Sequence, residues 1–160
     1  MNITYTDAIT AGEANAVRKA VGFRQIHPEQ LQADLDGSAR VWAARAEGRV
    51  VGMARLLWNG GAGALLQDLL VVPDYRTRGI EQEMATRILD FLRAQLKPGF
   101  GIQLDVRAWE GQEAFYEGFG FQVSTPQRRG VPMHICLTDR IELTDEMFQQ
   151  ETREATGVRA

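Results

Sequence analysis

A chain of 160 residues has room for one domain with a self-sufficient core, and its 44% hydrophobic and 24% charged residues are ordinary for a soluble globular protein. A formal net charge of −3 gives no general attraction to nucleic acid or anionic lipid, so any anion site has to be built locally. No apolar run approaches the ~20 residues that span a bilayer, no signal-peptide pattern is present, and the single cysteine, Cys136, can form no internal disulfide, so a cytoplasmic location is expected.

Asn2 to Tyr5 alternates weakly, as a short strand does. Thr10 with Glu13 reads as a capping box that opens a helix through about Ala20. His27-Pro28 starts a second short helix, which Gly37 ends. Arg40 to Ala46 and Arg49 to Trp58 are strand-like, and Glu47-Gly48 between them signals a tight hairpin. After the turn "NGGAG", Ala64 to Val72 is a nearly continuous apolar run, as expected for a central strand covered on both faces.

From Gly79 the period changes. Ile80, Met84, Ile88, Phe91 and Leu92 fall on one face of a helix, which "KPGF" stops at Pro98-Gly99. Ile102, Leu104 and Val106 alternate as a strand, and Gln112 to Glu117 forms a short helix running into Gly118 and Gly120. Phe121 to Ser124 and Met133 to Leu137 are expected to form a last strand pair, with Cys136 buried by packing and Arg128-Arg129-Gly130 in the connecting loop. The order β-α-α-β-β-β-α-β-α-β-β describes a mixed-sheet α/β (α+β) domain over residues 1–138. A polar tail, 139–160, comes after it, with a candidate helix from Thr144 to Arg153. No metal site is read.

The stretch "VVPDYRTRG", Val71 to Gly79, leads a strand straight into a helix. Such a junction gathers free backbone N–H groups at the positive end of a helix dipole. Gly79 can take positive φ and let a ligand approach closely, while Arg76 and Arg78 add charge that reaches phosphate oxygens. This is an anion site built largely from backbone. Taken alone it is a weak signal, and a solvated turn before an ordinary helix is then the favoured reading. Glu81 and Glu83 stand in the first helical turn, where acids stabilise the helix but compete with an incoming phosphate.

"QDLLVVPDYRTRG" followed further along by "EAFYEGFGF" resembles the GNAT family of N-acetyltransferases. In that family the first segment is the central strand with its pyrophosphate loop, Arg/Gln-x-x-Gly-x-Gly/Ala, and the second is the helix carrying the usual tyrosine. "VRKAVGF", Val17 to Phe23, and "RGVPM", Arg129 to Met133, are similar to segments of small bacterial members resembling aralkylamine acetyltransferases. The resemblance spans about Ile3 to Leu137. It implies a GNAT-like acyl-CoA N-acyltransferase fold and transfer of an acetyl group from acetyl-CoA (coenzyme A) to a primary amine of a small molecule, by direct attack in a ternary complex.

Carried onto this chain, the resemblance places Arg76 and Gly79 at the loop positions and Thr77 and Arg78 at its variable positions. Glu81 stands where the family has Gly or Ala, next to Gln82. Leu70, Val71 and Val72 supply strand backbone to the thioester carbonyl and pantetheine, near a bulge that splays this strand from the next. Tyr116 matches the tyrosine that protonates the departing thiolate, and a phenol stays protonated at neutral pH. An aromatic cluster of Phe115, Tyr116 and Phe119 is the competing reading. Asp68 is the nearest candidate base, against the reading of a strand carboxylate paired with an arginine. Water could equally remove the amine's proton. Glu81, turned toward Arg78 or solvent, is expected to weaken coenzyme binding without abolishing it.

Phe23, Trp58 and Trp109 could favour an aromatic or aliphatic amine, or serve only as packing. A non-catalytic GNAT-like module acting through protein contacts is the alternative function. Edge strands and the tail helix offer surfaces for a homodimer, and neither nucleic acid nor membrane is expected as a partner.

Overall fold

A computed structural model describes residues 2–135 and 137. The chain divides after Arg107 into two compact units. In the first, β1 (Ile3–Thr6), α1 (Ala11–Ala20), α2 (Pro28–Asp36), β2 (Arg40–Ala46), β3 (Arg49–Trp58), β4 (Gly63–Val71), α3 (Ile80–Ala94) and β5 (Gln103–Val106) occur in that order. The five strands form one sheet in the order β1-β2-β3-β4-β5. The first four pair antiparallel through short connections, whereas β4 and β5 run parallel because α3 crosses between them.

α1 opens on the expected capping box. The Glu13 N–H donates to Thr10 Oγ1 at 3.2 Å, and the Thr10 N–H donates to Glu13 Oε2 at 2.9 Å. Arg45 from β2 donates to the same carboxylate at 2.8 Å, which fixes the start of the helix against the sheet. His27 caps α2, its Nδ1 accepting the Glu29 N–H at 3.3 Å.

Because side chains alternate across a strand, the sheet has two apolar faces. On one, Val41, Ala43, Met53 and Leu70 pack with Ala14 and Val17 of α1 and with Leu31 and Leu35 of α2. On the other, Trp42 and Trp58 meet Phe91 of α3 edge-on, with centroids 5.9 and 6.4 Å apart. Ile80, Met84, Ile88 and Leu92, the stripe visible in the sequence, are buried. Each such side chain contributes about 1.5–3 kcal/mol on removal from water. The close approach of α3 requires Gly52 on β3: a Cβ there would lie 3.2 Å from Ile80 Cγ2 and from the Leu70 carbonyl oxygen.

The second unit holds α4 (Glu113–Glu117) and α5 (Pro126–Arg129). The expected last strand pair is not formed there among the described residues. Residues 121–125 are irregular, Pro126 starts a helical turn, and 131–135 pair with no strand. An apolar alternation becomes a strand only where a neighbouring strand accepts its backbone and one face is covered. Val123, Met133, Ile135 and Leu137 are instead exposed. Cys136 and the tail helix expected at Thr144 to Arg153 lie outside the described residues.

Gly52→Ala is expected to lower stability by about 1–3 kcal/mol, read from urea unfolding, because the added methyl meets backbone and a fully buried isoleucine. An unchanged midpoint would mean that α3 moves outward freely.

Candidate active site

α3 begins without a side-chain cap. Its N-cap is Gly79, in the left-handed region at φ 74° and ψ 13°. A Cβ at Gly79 would meet no atom within 4 Å, so the space in front of the helix is open. The first bond of the helical ladder runs from the Glu83 N–H to the Gly79 carbonyl at 3.0 Å. The N–H groups of Ile80, Glu81 and Gln82 therefore have no acceptor within the helix and stand at the positive end of its dipole. The preceding residues, Pro73–Tyr75, form a 3-10 turn closed by the Arg76 N–H on the Pro73 carbonyl. The Arg78 N–H is also engaged, with the Tyr75 carbonyl at 3.2 Å.

The two acids of the first turn separate in role. Glu83 Oε1 accepts from Arg87 Nε at 2.7 Å, one turn further along the helix, and is thereby turned away from the loop. Glu81 is half-buried, and burial raises its pKa above the ordinary carboxylate value while the charge of Arg76 partly opposes the rise. The cation beside Glu81 is thus Arg76 and not Arg78, whose guanidinium lies 4.9 Å over the Tyr75 ring. Tyr75 is buried and gives the guanidinium a fixed aromatic face. Arg76 Nε also reaches back toward the Val71 carbonyl, at 3.4 Å.

β4 changes character halfway along. Its pairing with β5 runs from Gly63↔Gln103 to Leu66↔Val106 and stops. Against β3, Gln67 faces Arg55 and Leu70 faces Met53, so Asp68 and Leu69 together oppose Ala54 alone. This one-residue bulge carries Asp68 at φ 52°, a left-handed conformation uncommon outside glycine but better tolerated by Asp and Asn. Beyond the bulge the Val72 N–H donates to the Val51 carbonyl at 2.9 Å. By alternation, Val71 turns its own N–H and C=O to the side away from β3, where β5 no longer pairs.

Asp68 is held from two directions. Arg55 Nε on β3 donates to Oδ2 at 2.7 Å, and Arg18 Nη1 on α1 donates to Oδ1 at 3.2 Å. All three side chains are about nine-tenths buried. Both oxygens of the candidate base are therefore already engaged. Of the two sequence readings of Asp68, this arrangement is that of the arginine-paired carboxylate. Removing one partner from such a buried group costs about 3–5 kcal/mol.

Sequence reasoning did not single out Arg18 or Arg55. Arg55 could have been found by laying the hairpin in register, since it faces Gln67 beside Asp68. Arg18 lies 50 residues from Asp68, and only the packing of α1 on the sheet brings it near. Of the proposed acceptor aromatics, Trp58 donates its indole N–H to the Gly61 carbonyl at 2.7 Å and packs on Phe91. Phe23 lies under the Arg18 guanidinium at 5.3 Å.

In the second unit, Tyr116 on α4 is buried. Its ring meets Phe115 edge-on at 5.0 Å and Phe121 at 5.4 Å, while Phe115 meets Phe119 at 5.4 Å. The aromatic cluster expected as the competing reading is therefore present.

A family model for the acetyltransferase (GNAT) domain matches residues 7–137. The chloroplastic serotonin N-acetyltransferase 2 of Oryza sativa subsp. japonica is 26% identical over 130 residues, covering 79% of this chain and 63% of its own length. Among solved structures, a probable acetyltransferase from meticillin-resistant Staphylococcus aureus superposes with a TM-score of 0.74 at 18% identity, over 84% of this chain and 100% of the other. A GNAT family protein from Streptococcus pneumoniae gives 0.63 at 24% identity, over 87% and 98%. The two structures share the fold, and the match across residues 7–137 places this chain in the GNAT acetyltransferase family.

Proposed function

We propose that the protein transfers an acetyl group from acetyl-CoA to a primary amine of a small molecule. The observation that carries this reading is the junction of β4 and α3. An uncapped helix start behind a left-handed glycine comes directly after a strand whose pairing with β5 ends at Leu66. The pyrophosphate would lie against the amides of Ile80, Glu81 and Gln82, with Thr77, Gly79 and the side chains of Arg76 and Arg78 around it. Of Leu70, Val71 and Val72, whose backbone the resemblance offers to the coenzyme, Val71 is the one turned away from β3, and its N–H would hold the thioester carbonyl or pair with the pantetheine.

In the reaction that the family resemblance implies, the amine would attack the carbonyl carbon, the C–S bond would break, and the thiolate would take a proton from a phenol, the role for which Tyr116 is the candidate. Tyr116 recovers its proton from the ammonium formed on the amine, through water. Because both oxygens of Asp68 are engaged by arginines, the amine's first proton is assigned to water rather than to Asp68. The acceptor class rests on family membership and on the rice relative, whose name specifies serotonin, an arylalkylamine. The non-catalytic alternative, for which Glu81 in place of Gly or Ala speaks, is not favoured by the acetyltransferase family match or by the rice relative. Among the described residues no helix is long and apolar enough to cross a membrane.

Tyr116→Phe keeps the ring and its aromatic neighbours. It is expected to lower kcat by on the order of 10²–10⁴ with acetyl-CoA affinity unchanged. A smaller loss in steady-state kinetics would leave Tyr116 as packing.

Glu81 sets a second expectation. A full carboxylate charge ~5 Å from phosphate, at an effective dielectric near 20, would oppose binding by roughly 3 kcal/mol, about a hundredfold in affinity. Burial raises the pKa of this carboxyl, and a bound pyrophosphate would raise it further, so binding is expected to tighten as pH falls through the range in which Glu81 titrates, with uptake of a fraction of a proton there. Calorimetry in buffers of different ionisation enthalpy should show this uptake in the wild type. Glu81→Gln should abolish it and bind more tightly at pH 8. Equal affinities with no proton uptake in either protein would show that Glu81 does not meet the coenzyme.

A further inference from the structure

We propose that Arg18, Asp68 and Arg55 form a positioning device that locks the β4 bulge open and ties it to the segment between α1 and α2. The proposal rests on the acetyltransferase reading for its kinetic part only. Asp68 sits at φ 52°, where a strand residue other than glycine is strained, and something has to keep it there. Arg55 does so from below: Nε holds Oδ2 at 2.7 Å, while Nη1 donates to the Asp34 carbonyl at 3.1 Å and to Ser38 Oγ at 3.2 Å. The bulge is thereby anchored to the end of α2.

Arg18 continues the connection on the other side. Nη1 holds Asp68 Oδ1 at 3.2 Å, and Nε donates to the Arg24 carbonyl at 2.9 Å. Two residues on, the same segment is clasped by Asn15, whose side chain accepts the Ile26 N–H at 2.9 Å and donates to the Ile26 carbonyl at 2.8 Å. One guanidinium therefore joins the bulge that frees the Val71 backbone to residues 23–26, beside Phe23. Movement of either part is felt by the other. In this arrangement the carboxylate holds backbone in place rather than accepting a proton, and Arg18 carries register from the α1–α2 segment to the thioester strand.

Three variants separate this role from base catalysis. Asn tolerates the left-handed conformation and its one carbonyl oxygen still accepts from Arg55, while its amide meets Arg18 as a second donor. Asp68→Asn should therefore lose part of kcat but keep clearly more of it than Asp68→Ala. Asp68→Ala loses both arginine contacts and should lower kcat by up to about a hundredfold through misplacement of the strand backbone. Arg18→Gln leaves the Asp68–Arg55 pair intact. It should raise KM for the amine several-fold, with the acetyl-CoA dissociation constant within about twofold of wild type.

A base would give the opposite pattern. Asn and Ala would then be equally inactive, by on the order of 10²–10⁴, and this would overturn the proposal. Hydrogen exchange of the amides of residues 67–71 in the free proteins decides the structural part without any activity measurement. Faster exchange in Asp68→Ala than in Asp68→Asn and wild type supports the brace, and equal exchange in all three overturns it. Should wild-type protein show no binding of acetyl-CoA, the acetyltransferase reading fails, and the exchange comparison still judges the brace.

Discussion

Strand β4 has to satisfy two neighbours at its start and release one of them before its end. Every backbone N–H and C=O that leaves a ladder needs another partner or costs free energy. β5 accompanies β4 only to Leu66, and within two residues the bulge at Asp68 re-aims the chain. Past the bulge, a short length of strand keeps one edge in β3 and turns the Val71 N–H and C=O away from it, the carbonyl toward Arg76 Nε at 3.4 Å. It runs into a helix whose first amides have no acceptor within the helix. The open strand edge and the open helix start are adjacent in sequence, so one ligand with an amide-bearing arm and a phosphate end matches both.

The rest of the first unit holds this junction in place. α3 reaches the sheet closely because Gly52 has no side chain between Ile80 and Leu70, and its apolar stripe fixes where the helix starts. α1 and α2 cover the opposite face, and through Arg18 and Arg55 they also grip the bulge itself. Electrostatics are arranged locally, as a chain of net charge −3 requires. Arg87 draws Glu83 down the helix, Tyr75 carries Arg78 on its ring, and Arg76 stays near the half-buried Glu81.

Most of the first unit was legible in the sequence because its signals are local. The Thr10–Glu13 box, the Glu47-Gly48 turn, the stripe from Ile80 to Leu92 and the glycine before it each depend on residues a few positions apart. The bulge and its clamp were not legible to the same degree. Asp68 could be read as base or as ion-pair partner, and the choice depends on Arg18, brought near only by tertiary packing. The alternating apolar residues of Phe121 to Ser124 and Met133 to Leu137 marked strands that are absent among the described residues. Alternation records a capacity to pair and says nothing of whether a partner strand is at hand. The role of Glu81 was undecidable from sequence, since burial and the nearness of Arg76 set its charge.

The central claim is that one ligand occupies the open strand edge and the open helix start together. Titration of isotope-labelled protein with acetyl-CoA, monitored through backbone amide resonances, tests it most directly. The account predicts saturable shifts of the Val71 amide and of the Gly79, Ile80, Glu81 and Gln82 amides with a common dissociation constant. Resonances at these positions that stay fixed under excess acetyl-CoA would contradict it.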